Sequence, residues 1–199
     1  MINSAIKRIA LVVGSTLIAM AGVHAQTPCP DVSGDTTVSI SCDTGITLTG
    51  ANLTIGTPTG GLVEVSNPGN IVIKVIGTGN TIDNTVNGSI VETSYGIGIY
   101  NEGTINALTN SGLISSEEGG VGIDNRSTIS TLINAGSITA VGQAFGIQNY
   151  GVEANVTTLT NSGTISAGNF GVGIANSEGI IFTLTNSGTI SAGDVGTGI

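Results

Sequence analysis

Positive charge is nearly missing from this sequence: four Lys and Arg stand against 13 Asp and Glu among 199 residues, a formal charge of −9. A chain so poor in cations has almost nothing with which to hold phosphate, so no nucleic-acid partner is expected. There is one histidine, His24, and no tryptophan. The scarcity of aromatics, three Phe and three Tyr, argues against a broad core filled by large rings. Cysteines number two and neither CxxC nor a Cys/His cluster occurs, which leaves no zinc-ligand pattern. Neither a cofactor nor a metal is expected. Only one long apolar run is present, and it lies at the start of the chain.

That run reads as an export signal. Lys7 and Arg8 precede an apolar stretch from Ile9 to Val23, and Val23-His24-Ala25 supplies small residues at a signal-peptidase site. Cleavage after Ala25 is expected, with Gln26 the first mature residue. The mature chain then retains two cations, Lys74 and Arg126, against 13 acids, a formal charge of −11. His24 leaves with the signal, so neither Ser-His-Asp nor Cys-His nucleophilic catalysis has an imidazole. Cys29 and Cys42 both follow the cleavage site and lie close together in the chain. In an oxidising compartment a disulfide is the simplest expectation, stabilising by roughly 3 kcal/mol if unstrained.

What the chain has in abundance is glycine, 32 residues, and an internal repeat. Gly-Ile-x-Asn recurs at Ile99/Asn101, Ile123/Asn125, Ile147/Asn149 and Ile174/Asn176. A second element, Leu-x-Asn-x-Gly-x-Ile, recurs at Leu108, Leu132, Leu159 and Leu184, a nearly constant step. A period of this size indicates a solenoid. Alternation within each element places every second side chain on one face of a strand, and repeated Gly excludes a helix. The expected fold is all-β, a right-handed parallel β-helix (β-solenoid) of roughly 24-residue coils. The interval from the last Ile of the second element to the next Gly-Ile position never changes, whereas the segment after the first Asn varies in length. One corner of the coil therefore tolerates insertion into solvent.

Two asparagine columns are the most regular polar feature: Asn101, Asn125, Asn149 and Asn176, and Asn110, Asn134, Asn161 and Asn186. Asn suits a tight corner and can bond its equivalent one coil away, so both columns are read as structural ladders, with sugar or cation binding the minor alternative. The organisation expected is a signal peptide at 1–25, a cap with irregular first β-coils and the disulfide at 26–94, and regular repeats at 95–199. In the first coils Thr36 to Cys42, Ile46 to Thr49, Leu53 to Ile55, Val63 to Val65 and Ile71 to Ile76 read as strands. Val195 to Ile199 repeats the start of a coil, so the sequence is expected to be truncated within the array.

The paired motifs, with Leu-Thr-Asn-Ser-Gly-Thr-Ile-Ser at 159–166 and 184–191, resemble the passenger region of bacterial autotransporters. The resemblance covers residues 95–199 closely and 26–94 in general character. It implies export through the periplasm, an outer-membrane barrel in a missing C-terminal part, and a cell-surface or secreted β-helical passenger. Such a passenger is a scaffold or an adhesin for a host-surface or glycan ligand.

An enzyme is not expected. The competing class is a polysaccharide-cleaving β-helix, whose hydrolysis needs two opposed carboxylates. The candidate acids are Glu117, Glu118, Glu153, Glu178 and Asp194; no Lys, Arg or His accompanies the Glu153 and Glu178 pair in sequence. A third class, ice or mineral binding, would need threonine pairs repeated in register, and Thr47-x-Thr49 stands alone. The variable corner carries Tyr150, Glu153 and Glu178, an expected ridge where an exposed ring could contact a partner.

Overall fold

The computed structural model describes residues 29, 32, 34–38, 45–56, 61–65, 70–117 and 119–199. Among them every regular element is a strand: β1 (Thr36–Val38), β2 (Ile46–Leu48), β3 (Asn52–Ile55), β4 (Gly61–Val65), β5 (Ile71–Val75), β6 (Asn80–Asn84), β7 (Gly88–Glu92), β8 (Ile97–Asn101), β9 (Thr104–Asn110) and β10 (Leu113–Ser116). They continue as β11 (Val121–Asn125), β12 (Thr128–Asn134), β13 (Ser137–Ala140), β14 (Phe145–Tyr150), β15 (Asn155–Asn161), β16 (Thr164–Ser166), β17 (Val172–Ser177), β18 (Ile180–Asn186) and β19 (Thr189–Ser191).

The strands wind into a parallel β-solenoid. Each coil supplies one strand to each of three parallel sheets, and the path from β2 to β17 makes five turns. We name the sheets by their strands: sheet 1 runs β2-β5-β8-β11-β14-β17, sheet 2 runs β1-β3-β6-β9-β12-β15-β18, and sheet 3 runs β4-β7-β10-β13-β16-β19. Parallel pairing requires a long return connection. Here the other two strands of the coil provide it, so the repeat length is the coil length. Ile99, Ile123, Ile147 and Ile174 accordingly lie beside one another, each one coil beyond the last.

The interior is three stacks of branched side chains. Ile73, Ile99, Ile123 and Ile147 line it from sheet 1, Leu108, Leu132 and Leu159 from sheet 2, and Ile90, Ile114, Ile138 and Ile165 from sheet 3, all fully buried. Each rests on its equivalent in the next coil, which keeps the core slim and makes large rings superfluous. The glycines of the motifs serve close approach. A Cβ on Gly122 would stand 2.6 Å from the Gly146 carbonyl oxygen, and one on Gly136 only 2.1 Å from that of Gly112. Any side chain there would push neighbouring coils apart.

The strands of the first region match their sequence expectations closely, from β1 to β5, although β1 is described only to Val38. The regular stacking also reaches further toward the N-terminus than the repeat motifs. β5, β6 and β7 pair in parallel with β8, β9 and β10, with one register shift between Asn80 and Thr81. The expected leader, residues 1–25, lies outside the described residues. Cys29 packs partly buried against the first coils and is not a free thiol. Its expected partner, Cys42, lies outside the described residues, so no complete disulfide is seen among them. At the other end Thr197 and Gly198 continue the array: Thr197 bridges Val172 in parallel, and Ile174 donates its backbone N–H to the Gly198 carbonyl at 2.9 Å.

Candidate functional site

The two asparagine columns run inside the corners that flank sheet 2. At the corner from sheet 1, Asn101 Nδ2 donates to Asn125 Oδ1, Asn125 to Asn149 and Asn149 to Asn176, at 2.7, 2.7 and 2.6 Å. At the corner toward sheet 3, Asn84 donates to Asn110, Asn110 to Asn134, Asn134 to Asn161 and Asn161 to Asn186, each at 2.7 Å. Second bonds go to backbone carbonyls, for example Asn110 Nδ2 to Ser137 O at 3.1 Å and Asn134 Nδ2 to Thr164 O at 2.9 Å. Asn101, Asn110, Asn125, Asn134, Asn149 and Asn161 are fully buried, while Asn176 and Asn186 are exposed on the last coil. In the six buried members the amides are spent on each other and on the backbone. Asn84 is a member that the motif spacing hides. The interval from it to Gly88 is longer than Leu-x-Asn-x-Gly-x-Ile allows, yet Ile82, Asn84 and Ile90 occupy the same places.

The chemistry-bearing side chains gather on the outside of sheet 1. Lys74, Tyr100, Asp124 and Gln148 are neighbours on successive coils. Just beyond, at the corner, stand Glu102, Arg126 and Tyr150. Lys74 Nζ contacts Glu102 at 2.9 Å and lies 5.6 Å from the Tyr100 ring centre. The Tyr100 hydroxyl donates to Glu102 Oε1 at 2.9 Å. One coil on, the Arg126 guanidinium grips Asp124 with two bonds of 2.8 and 2.9 Å and lies 4.4 Å over the Tyr150 ring. Asp124 is 2% exposed. Burial raises its carboxyl pKa, and the Arg126 bonds pull it partly back. Burial also raises the Tyr100 hydroxyl, with Glu102 adding to it, whereas hydrogen bonds from Lys74 and Tyr100 lower Glu102.

This changes the picture of the expected ridge. Tyr150, Glu153 and Glu178 do lie in the insertion-bearing corner, and Tyr150 faces Glu178 across an isolated antiparallel bridge. Both acids are exposed, and no contact between them is seen among the described residues. The partner of Tyr150 is instead a cation, Arg126, from the preceding coil. The sequence alone hides this contact, because Arg126 is a full coil away along the chain and the two meet only when the coils stack. Glu117 and Asp194 are exposed at the other side of sheet 1, while Glu118 lies outside the described residues.

A second side-chain column accompanies the polar one: Ile71, Ile97, Val121, Phe145 and Val172 are half-buried neighbours on the same sheet. With Tyr95 and Phe170 at the adjoining corner, 61% and 59% exposed, five of the six aromatics border this one face. Threonines order differently. Thr131, Thr158 and Thr183 form one column on sheet 2 and Thr160 and Thr185 another, a register that Thr47-x-Thr49 did not reveal. Ala107, Ile133 and Asp83 interrupt these columns, so no uniform threonine plane results.

Comparison with protein-family models, with curated proteins and with solved structures returns no match for this chain.

Proposed function

We propose that the chain is part of an exported, surface-exposed or secreted passenger that acts as a stiff structural scaffold or adhesin. The observation that carries this reading is the pair of uninterrupted amide ladders running alongside three continuous apolar stacks. Coils tied to each other in this way from Asn101 onward resist bending between them, the property a spacer requires. The leader-like segment 1–25 and the autotransporter-like repeats support placement outside the cytoplasm, and the expected pairing of Cys29 with Cys42 would suit the same setting.

The test is expression of the full-length reading frame in its own host. Labelling of intact cells or culture medium with antibody against residues 95–199, together with a mature terminus at Gln26, is the expected outcome. Retention of an uncleaved chain in the cytoplasm would overturn the reading.

A further inference from the structure

We infer that the outer face of sheet 1 binds an uncharged, polyhydroxylated chain, a neutral polysaccharide laid along the solenoid axis. The clearest ground is concentration. A chain with six aromatics and, beyond its leader, two cations gathers five of the former and both of the latter along one face.

Their arrangement selects the ligand. Tyr100 with Glu102, Asp124 with Arg126, and Gln148 with Tyr150 stand on three consecutive coils, so the strip advances at about 4.8 Å per coil and, from Lys74, spans on the order of 14 Å. Beside it runs the apolar column through Ile97, Val121 and Phe145. Sugar rings are themselves two-sided, with C–H faces that sit on apolar and aromatic surfaces and hydroxyl edges that need fixed donors and acceptors. The Tyr150 ring, 41% exposed and backed by Arg126, offers a rigid platform. The bidentate Asp124–Arg126 pair cannot swing away without leaving Asp124 buried and unpaired, so its remaining polar positions are held in place.

Other occupants fit less well. A polyanion would need free cations, and Lys74 and Arg126 are each paired with a carboxylate on a chain that is strongly acidic overall. A peptide adding as a strand would need an unpaired edge, and β8, β11 and β14 are bonded on both sides. The inference deepens the proposed adhesin reading by naming a ligand class and a site. Its test works on purified chain, so it fails or stands independently of where the protein is displayed.

The experiment is saturation-transfer NMR on the full chain with cellohexaose, chitohexaose and mannohexaose, and with heparin hexasaccharide as the charged probe. At least one neutral hexasaccharide should bind with Kd between about 10 μM and 10 mM. Tyr150→Ala and Tyr100→Phe test the strip, the latter keeping the ring while removing the hydroxyl bonded to Glu102. Tyr150→Ala should weaken binding about tenfold or more and Tyr100→Phe about two- to fivefold, with Phe182→Ala on sheet 2 as the unaffected control. Raising salt should leave the affinity within about twofold, because no counterions are released. No neutral binding up to about 10 mM, equal binding by Tyr150→Ala and wild type with native-like circular dichroism, or a preference for heparin lost at high salt would each overturn the inference.

Discussion

The coils from β8 onward and those before it share one architecture and differ in what fills two interior columns. In the later coils the corner after sheet 1 holds Asn101, Asn125 and Asn149; in the earlier ones the same column is Val75 and Leu48. The corner after sheet 2 holds Asn110, Asn134 and Asn161 later, but Ile55 and Val38 earlier. Asn84 sits at the junction, and its Oδ1 is buried without a hydrogen-bond partner because Ile55 beneath it has no donor. Coil stacking therefore needs inward apolar side chains in register, while the amide ladder is an addition confined to part of the rod. Apolar and amide columns are alternatives, and the boundary between them leaves an unsatisfied atom.

The rod is most sensitive where these interior columns are broken. The harshest break is an ionised group in a shared apolar column. Ile147→Asp buries a charge between Ile123 and Ile174 and should cost at least about 4 kcal/mol, seen as loss of the cooperative melt. Removing one amide in the ladder comes next. Asn134→Ala leaves Asn161 Oδ1 without the donor supplied from Asn134 and should cost about 2–3 kcal/mol by chemical denaturation. The same substitution at Asn84 should cost less, because one of its groups is already unpaired.

Outside the core, Arg126→Gln removes the bonds that hold Asp124 ionised in a buried place. The folded carboxyl pKa, already raised by burial, should rise further, so the variant binds its proton more tightly than the unfolded chain. Relative to wild type, stability then falls as pH climbs from the wild-type folded value toward the variant's higher one, and the deficit of about 1–2 kcal/mol at neutral pH shrinks on acidification. Denaturant titrations at several pH values check the sign. Smallest is Glu153→Ala in the exposed insertion, expected to shift stability by under about 0.5 kcal/mol.

These contrasts also explain what the sequence made legible. Gly-Ile-x-Asn stands out because Gly122 and its equivalents tolerate no side chain and Asn125 and its equivalents bond their own kind. The earlier coils use interchangeable Ile, Val and Leu, so Ile73 and Val75 look like any strand and the period fades, although the stacking does not. The strip on sheet 1 is hidden for a different reason. Lys74 and Tyr100, or Arg126 and Tyr150, are one coil apart in sequence, and their pairing depends on register that no local pattern encodes. The insertion corner was readable from its lengths, but its neighbours were not.

Continuity of the coil stack across the junction is tested most directly by cross-linking β6 to β9. Asp83 and Thr109 are outward neighbours there, and Ile133 stands one coil further in the same column. Cysteines at 83 and 109 should have Cα atoms about 4.8 Å apart, within reach of a disulfide, whereas 83 and 133 at roughly twice that distance should not. The Asp83→Cys/Thr109→Cys chain should oxidise to an intramolecular 83–109 bond, read by peptide mass mapping, while Asp83→Cys/Ile133→Cys should keep both new thiols free. Free thiols in the first variant, or a bond in the second, would contradict a single stack in this register.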